Sequence, residues 1–108
     1  MQDLTADNAL FTDIFVLSDE RIKQRIRNLD STDTEALLQL DCFKFVFNNQ
    51  QNTEARYGLS AQQVQTFFPE LVHNSRNNQY LILQYLGMIP ILINALKEMD
   101  ARLKIMEG

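Results

Sequence analysis

Cysteine and histidine each occur once in the 108 residues. A lone thiol at Cys42 has no partner for an intrachain disulfide, and Cys42 with His73 is too small a set for a zinc constellation. No metal and no small-molecule cofactor are therefore expected. Blocks of positive charge are lacking too. The formal charge is −4, with acidic and basic residues mixed along the chain, so neither a nucleic acid backbone nor an anionic membrane finds a matching surface. No stretch reaches the apolar length needed to span a bilayer, and residues 1–17 lack the basic start and long apolar run of a secretion signal. The expectation is a chain made in the cytosol that binds neither nucleic acid nor membrane.

What is present suffices for one domain: 45% of the side chains are hydrophobic, enough for one core in a chain too short for two. The stretch Ser18-Asp19-Glu20-Arg21-Ile22-Lys23 sets a serine five residues before a lysine. A serine hydroxyl is a poor nucleophile until a base takes its proton, and lysine can be that base only where burial or a nearby cation lowers its pKa from about 10.4. The same spacing also suits a serine that caps a turn. Arg21, Lys23, Arg25 and Arg27 form a short basic run, read as a solvated strand or helix face. Gly58-Leu59-Ser60-Ala61-Gln62 lacks the closing glycine of a nucleophile elbow, which leaves Ser60 as a helix cap.

Leu10 is followed by Phe11, Ile14, Phe15, Val16 and Leu17, an apolar approach to Ser18 that suits a strand ending at the serine. Thr32 with Glu35 three residues later has the spacing of a capping box, which predicts a short helix through Ala36, Leu37, Leu38 and Leu40. Phe43, Phe45 and Phe47 alternate with Lys44 and Val46, the period of a strand that buries its phenylalanine face, and Cys42 beside them reads as a core thiol. Asn48 to Thr53 is polar, a hairpin loop or protrusion, and Ala55 to Leu59 returns as a second strand in which Gly58 permits a bulge or a close backbone approach. Ser60 and Gln63 have the spacing of another capping box, before a short helix carrying Val64, Phe67 and Phe68 on one face and stopped by Pro69. His73 to Gln79 reads as a polar loop, with His73 an ordinary loop residue.

A heptad runs from Ile82: Ile82, Ile89, Leu96 and Leu103 share one position, and Tyr85, Leu92, Met99 and Met106 another. This predicts a C-terminal helix over about 82–107, regular from near Pro90, that is either a coiled-coil strand or one amphipathic helix on its own domain. The seam composition does not choose between two and three strands. The fold class is α+β: a small β-hairpin and short helices, followed by the long helix.

Four stretches resemble one known family. They are Ser18 to Ile26; Ala36-Leu37-Leu38-Gln39-Leu40 leading into Phe43-Lys44-Phe45; Tyr57-Gly58-Leu59-Ser60-Ala61-Gln62-Gln63-Val64 with Phe68-Pro69-Glu70-Leu71-Val72; and Tyr85 to Glu98. Together they are similar to the intramolecular chaperone of endosialidase family, the self-cleaving trimerisation domain at the C-terminus of phage tail spikes and fibres, found also in myelin regulatory factors. The family pattern after the glycine reads hydrophobic-hydrophobic-Ala-Gln-Glu-Val, where this chain has Ser60 at the second hydrophobic and Gln63 at the glutamate.

The resemblance implies a homotrimer whose coiled coil is built on Ile89, Leu92, Leu96, Met99, Leu103 and Met106. It implies an autoproteolytic serine peptidase acting once, in cis as the preferred route with attack on a neighbouring chain left open, with Ser18 as nucleophile, Lys23 as base, and the cut between Leu17 and Ser18. Asp19, Arg21, Gly58 and Gln62 match the motif as supporting residues, Gln62 as a structural contact near the site. Residues 1–17 are then the end of an upstream fibre or linker and 18–108 the chaperone domain. The partners implied are two further copies and the upstream fibre or spike of the same polypeptide, a larger viral protein. The work would be done in the host cytoplasm during virion assembly, with the domain released from the mature fibre. Two other readings share the fold: a non-cleaving trimeric assembly or tip module, and the assembly domain of a membrane-released transcription factor.

Overall fold

The computed structural model describes residues 15–48 and 54–108, and the architecture is α+β. A 3₁₀ turn at Glu20–Ile22 leads through an arm without regular secondary structure, residues 23–30, to helix α1 (Ser31–Leu37). Strands β1 (Phe43–Phe45) and β2 (Arg56–Gly58) form an antiparallel hairpin in the register Phe43 to Gly58, and most of the expected loop, residues 49–53, lies outside the described residues. Helix α2 (Ala61–Phe67) and a 3₁₀ turn at Pro69–Leu71 precede a second antiparallel hairpin, β3 (Val72–Asn74) with β4 (Leu81–Leu83). A third 3₁₀ turn, Tyr85–Gly87, opens into helix α3 (Met88–Glu107).

Two packed zones hold these elements. In the first, Val64 and Phe68 from α2 and its C-cap, Val72 from β3 and Ile91 from α3 form a buried cluster, flanked by Leu37, Leu40, Leu59, Leu81 and Leu83. In the second, α1 lies along α3. There the Asn94 amide donates to the Asp30 carbonyl at 3.0 Å and to the hydroxyl of fully buried Thr34 at 3.1 Å, so a polar group in the interface is satisfied. Arg102 and Glu35, 3.1 Å apart, extend the contact at the surface.

Helix α1 starts earlier than the Thr32–Glu35 spacing predicts. Asp30 is the N-cap, its side chain accepting from the Thr32 N–H, and Asp33 reaches back to the Asp30 N–H, completing a capping box of two aspartates. Leu38 to Leu40 lie beyond the helix, in its closing turn. At α2 the cap is where the sequence predicts it, with the Ser60 hydroxyl accepting from the Gln63 N–H at 3.2 Å. The Gln63 side chain does not return the bond. Its carbonyl accepts from the Asp41 N–H at 2.8 Å, while its NH₂ donates to the Gln39 carbonyl and the Asp41 carboxylate, each at 3.3 Å. A glutamate there would have no proton to give and would face Asp41 with like charge.

The long helix begins at Met88, not near 82. Ile82 pairs with His73 in the second hairpin and Tyr85 sits in the 3₁₀ turn, because strand pairing claims the first residues of the heptad pattern. Pro90 occupies the first turn of α3, where its missing N–H has no intrahelical acceptor to lose. The expected loop from His73 is therefore partly strand. Its turn is closed by Ser75 and Tyr80, with Asn78 at a φ of 58°, a left-handed conformation that asparagine tolerates.

Of the phenylalanine face, Phe43 and Phe45 are strand, Phe47 lies beyond it, and none is core. Phe43 and Phe47 are exposed and Phe45 half-buried, stacked edge to face along the hairpin, and Phe67 also points outward. Cys42 is exposed, which corrects its reading as a core thiol. Gly58 makes the close approach that the sequence allows: a Cβ there would lie 2.8 Å from the Phe45 ring and 3.0 Å from the Tyr85 hydroxyl. The paired register runs through Gly58 without a bulge. Of the expected strand before Ser18, residues 15–17 carry no strand pairing, and Phe11 and Ile14 lie outside the described residues.

Candidate active site

The 3₁₀ turn decides the geometry of the Ser18 to Lys23 stretch. Asp19 caps it, accepting from the Arg21 N–H at 2.9 Å, and the Arg21 guanidinium closes back on the same carboxylate, the nearest nitrogen 2.6 Å away. That guanidinium is also what holds the Asp19 carboxyl below its usual range, with the backbone bond adding to it. The Ile22 N–H donates to the Asp19 carbonyl and the Lys23 N–H to the Glu20 carbonyl, so the chain turns once and residue 23 returns beside residue 18.

There the Lys23 ammonium donates to the Ser18 hydroxyl oxygen at 2.6 Å. The two side chains, with Glu20 and Arg25, line one shallow surface cleft, and both lie open to solvent. With the proton positions reversed, hydroxyl to neutral amine, the same contact is that of a nucleophile and its general base. Leu17, on the other side of the candidate bond, is exposed.

Asp19 and Arg21 thus take a structural part in the turn. Gly58 and Gln62 do not join this cleft in the single chain. Gly58 packs under Phe45 and Tyr85, and Gln62 lines a separate apolar groove with Phe43, Phe45, Leu81 and Leu83. Among the described residues no cluster of histidine, cysteine and carboxylate side chains could hold a metal, and no helix is long and apolar enough to cross a membrane.

One contact that anchors the chain following the site is not legible as such in the sequence. Arg27 forks onto Asp33, each guanidinium nitrogen 2.8 Å from a carboxylate oxygen, and fastens the arm to α1. By spacing, Arg27 reads as one more solvated cation of the basic run, and only its separation of six residues from Asp33, across a helix start, hints at a partner.

The six predicted seam residues lie on α3. Met88, Ile91 and Ala95 form the buried stripe by which this helix packs on the domain. The seam is the adjacent stripe: Leu96 is 72% exposed, Met106 82%, and Ile89, Leu92 and Leu103 about half, with Met99 partly buried.

A family model described as chaperone of endosialidase, of peptidase type, matches residues 18–73. No curated protein matches the chain.

Proposed function

The chain belongs to the chaperone of endosialidase family, and from that premise we propose that it is a self-cleaving intramolecular chaperone: it trimerises a viral fibre or spike upstream in its own polypeptide and is released by autoproteolysis at Leu17–Ser18. A chaperone-like role follows from the family itself. The observation that carries the cleavage is the 2.6 Å contact between Lys23 Nζ and Ser18 Oγ.

Ser18 stands on the C-terminal side of the bond, so its Oγ attacks the Leu17 carbonyl carbon of its own chain while the neutral Lys23 amine takes the hydroxyl proton. The C–N bond breaks as that proton passes to the Ser18 nitrogen. Leu17 is then joined to Ser18 Oγ as an ester, and Ser18 carries a free amine. Water hydrolyses the ester, leaving a Leu17 carboxylate and a domain that begins at Ser18. Holding both groups in one turn replaces a bimolecular encounter with an effective concentration of about 10⁵ M or more.

Assembly supplies the switch. In the single chain the pair is open to water, and an ammonium gives up its charge more readily when buried. A neighbouring chain laid across the cleft would therefore favour the amine only after trimerisation. The exposed seam of α3 supports that assembly, because its apolar stripe has no cover among the described residues. The events belong to the host cytoplasm during virion assembly, and the mature fibre lacks the domain.

Intact mass of the assembled longer protein tests the proposal. Two species are expected, the smaller beginning at Ser18. A single uncut mass from a fully assembled trimer would leave the non-cleaving assembly or tip module as the function.

A further inference from the structure

The apolar seam of α3 has flanks of opposite charge. With Ile89, Leu96 and Leu103 at heptad position a and Leu92, Met99 and Met106 at d, position e holds Ile93, Asp100 and Glu107, and position g holds Met88, Ala95 and Arg102. Met88 and Ala95 are buried against the chain's own domain, so Arg102 is the g residue left at the surface. It bonds Glu35 at 3.1 Å through one guanidinium nitrogen, and a guanidinium has further donors to give. On the other flank Asp100 is paired with Lys104 at 3.2 Å, one turn further along the same helix. Glu107 is exposed and has no hydrogen bond or ion pair among the described residues. It is also the last residue of the helix, where the macrodipole disfavours an anion.

We infer that neighbouring copies in the assembly run parallel and in register, with Arg102 of one copy paired to Glu107 of the next. In a parallel coiled coil the g residue of one heptad lies beside the e residue of the neighbour's following heptad, and charges on these flanks set partner and orientation. Arg102 at g is followed, in the next heptad, by Glu107 at e. An antiparallel neighbour sets e against e, which would bring the acidic Asp100 and Glu107 of one copy toward the same acids of another. Equal contacts around a ring close only when no copy is shifted along the axis, so one register repeats at every contact. The flank charges thus choose an orientation that the apolar seam leaves open. Arg102 then bridges Glu35 of its own α1 and Glu107 of the next copy, which ties the helix contact to the packed domain. This inference rests on the assembly reading of the seam.

Sedimentation equilibrium of the 108-residue chain, at low and at high salt, tests the pairing. Glu107→Arg should raise the concentration of half-assembly about tenfold at low salt, because every contact in the ring then sets two cations face to face. A role confined to the helix end predicts the reverse, since the variant suits the helix dipole and lowers the net negative charge that the copies share. Arg102→Glu combined with Glu107→Arg should restore the wild-type value, and the differences should fade at about 1 M salt, where exposed pairs are screened. If circular dichroism shows that the double variant loses helix, Glu107→Arg decides alone. A Glu107→Arg chain that assembles as readily as wild type, or a folded double variant no better than the single one, refutes the pairing while a trimeric wild type keeps the assembly reading. A monomeric wild type overturns both.

Discussion

Arg27 and Asp33 meet fork to fork at 2.8 Å, the carboxylate buried and the guanidinium half exposed. The pair joins the arm that carries Ser18 and Lys23 to the first turn of α1, where Asp33 also closes the capping box on Asp30. The pair thereby ties the chain just beyond the Ser18–Lys23 turn to the helix start.

A pH dependence follows with a definite sign. Arg27, and next the Asp30 N–H, hold the Asp33 carboxyl down to about 2 from an ordinary 3.8. A depressed folded-state pKa stabilises the fold above the unfolded value, and that contribution disappears as pH falls from about 3.8 through about 2. Asp33→Asn should lower the thermal midpoint at neutral pH, and its deficit against wild type should shrink over that acid window. A deficit that stays constant down to about pH 2 would rule out the pair as its source.

Gly58→Ala tests the packing under the first hairpin. The added Cβ would press on the Phe45 ring and on the Tyr85 hydroxyl, which accepts from the Leu59 N–H at 3.0 Å. Overpacking of this kind costs about 1 to 3 kcal/mol. Urea denaturation should show a loss of that order, and an unchanged midpoint would mean that the hairpin shifts freely.

Leu96→Asp should abolish assembly and leave the chain folded. Leu96 is 72% exposed and lies on the stripe of α3 next to the one that packs through Ile91 and Ala95. Light scattering should report a trimer for wild type and a monomer for the variant, with unchanged helical circular dichroism. A monomeric wild type at micromolar concentration contradicts the trimer, and a dimer keeps the interface but changes its order.

The candidate site is more legible in the sequence than the core. Ser18 and Lys23 are close in sequence and stand out through the family resemblance, while the turn capped by Asp19 is what brings them together, and the Ser60 cap and the Phe43–Phe45 strand are equally local. The second hairpin escapes a reading by pattern because Val72-His73-Asn74 is too short and polar to alternate visibly, and its partner Leu81-Ile82-Leu83 fits the helical heptad as well as a strand. The phenylalanines and Cys42 mislead for a different reason. An alternating apolar run marks a surface that wants cover, and a single chain need not provide it. Gln63 and Arg27 act through partners that sequence spacing does not single out.

N-terminal sequencing of the fragment released from the longer, trimeric protein tests the cleavage most directly. Wild type should yield a chain beginning at Ser18, whereas Ser18→Ala and Lys23→Ala should stay full length and still assemble, since neither residue lies on the α3 seam. Lys23→Arg should also remain uncut, because a guanidinium cannot give up its proton to serve as base. A cut at any other bond, or an undiminished cut in Ser18→Ala, contradicts the account and removes Ser18 as the nucleophile.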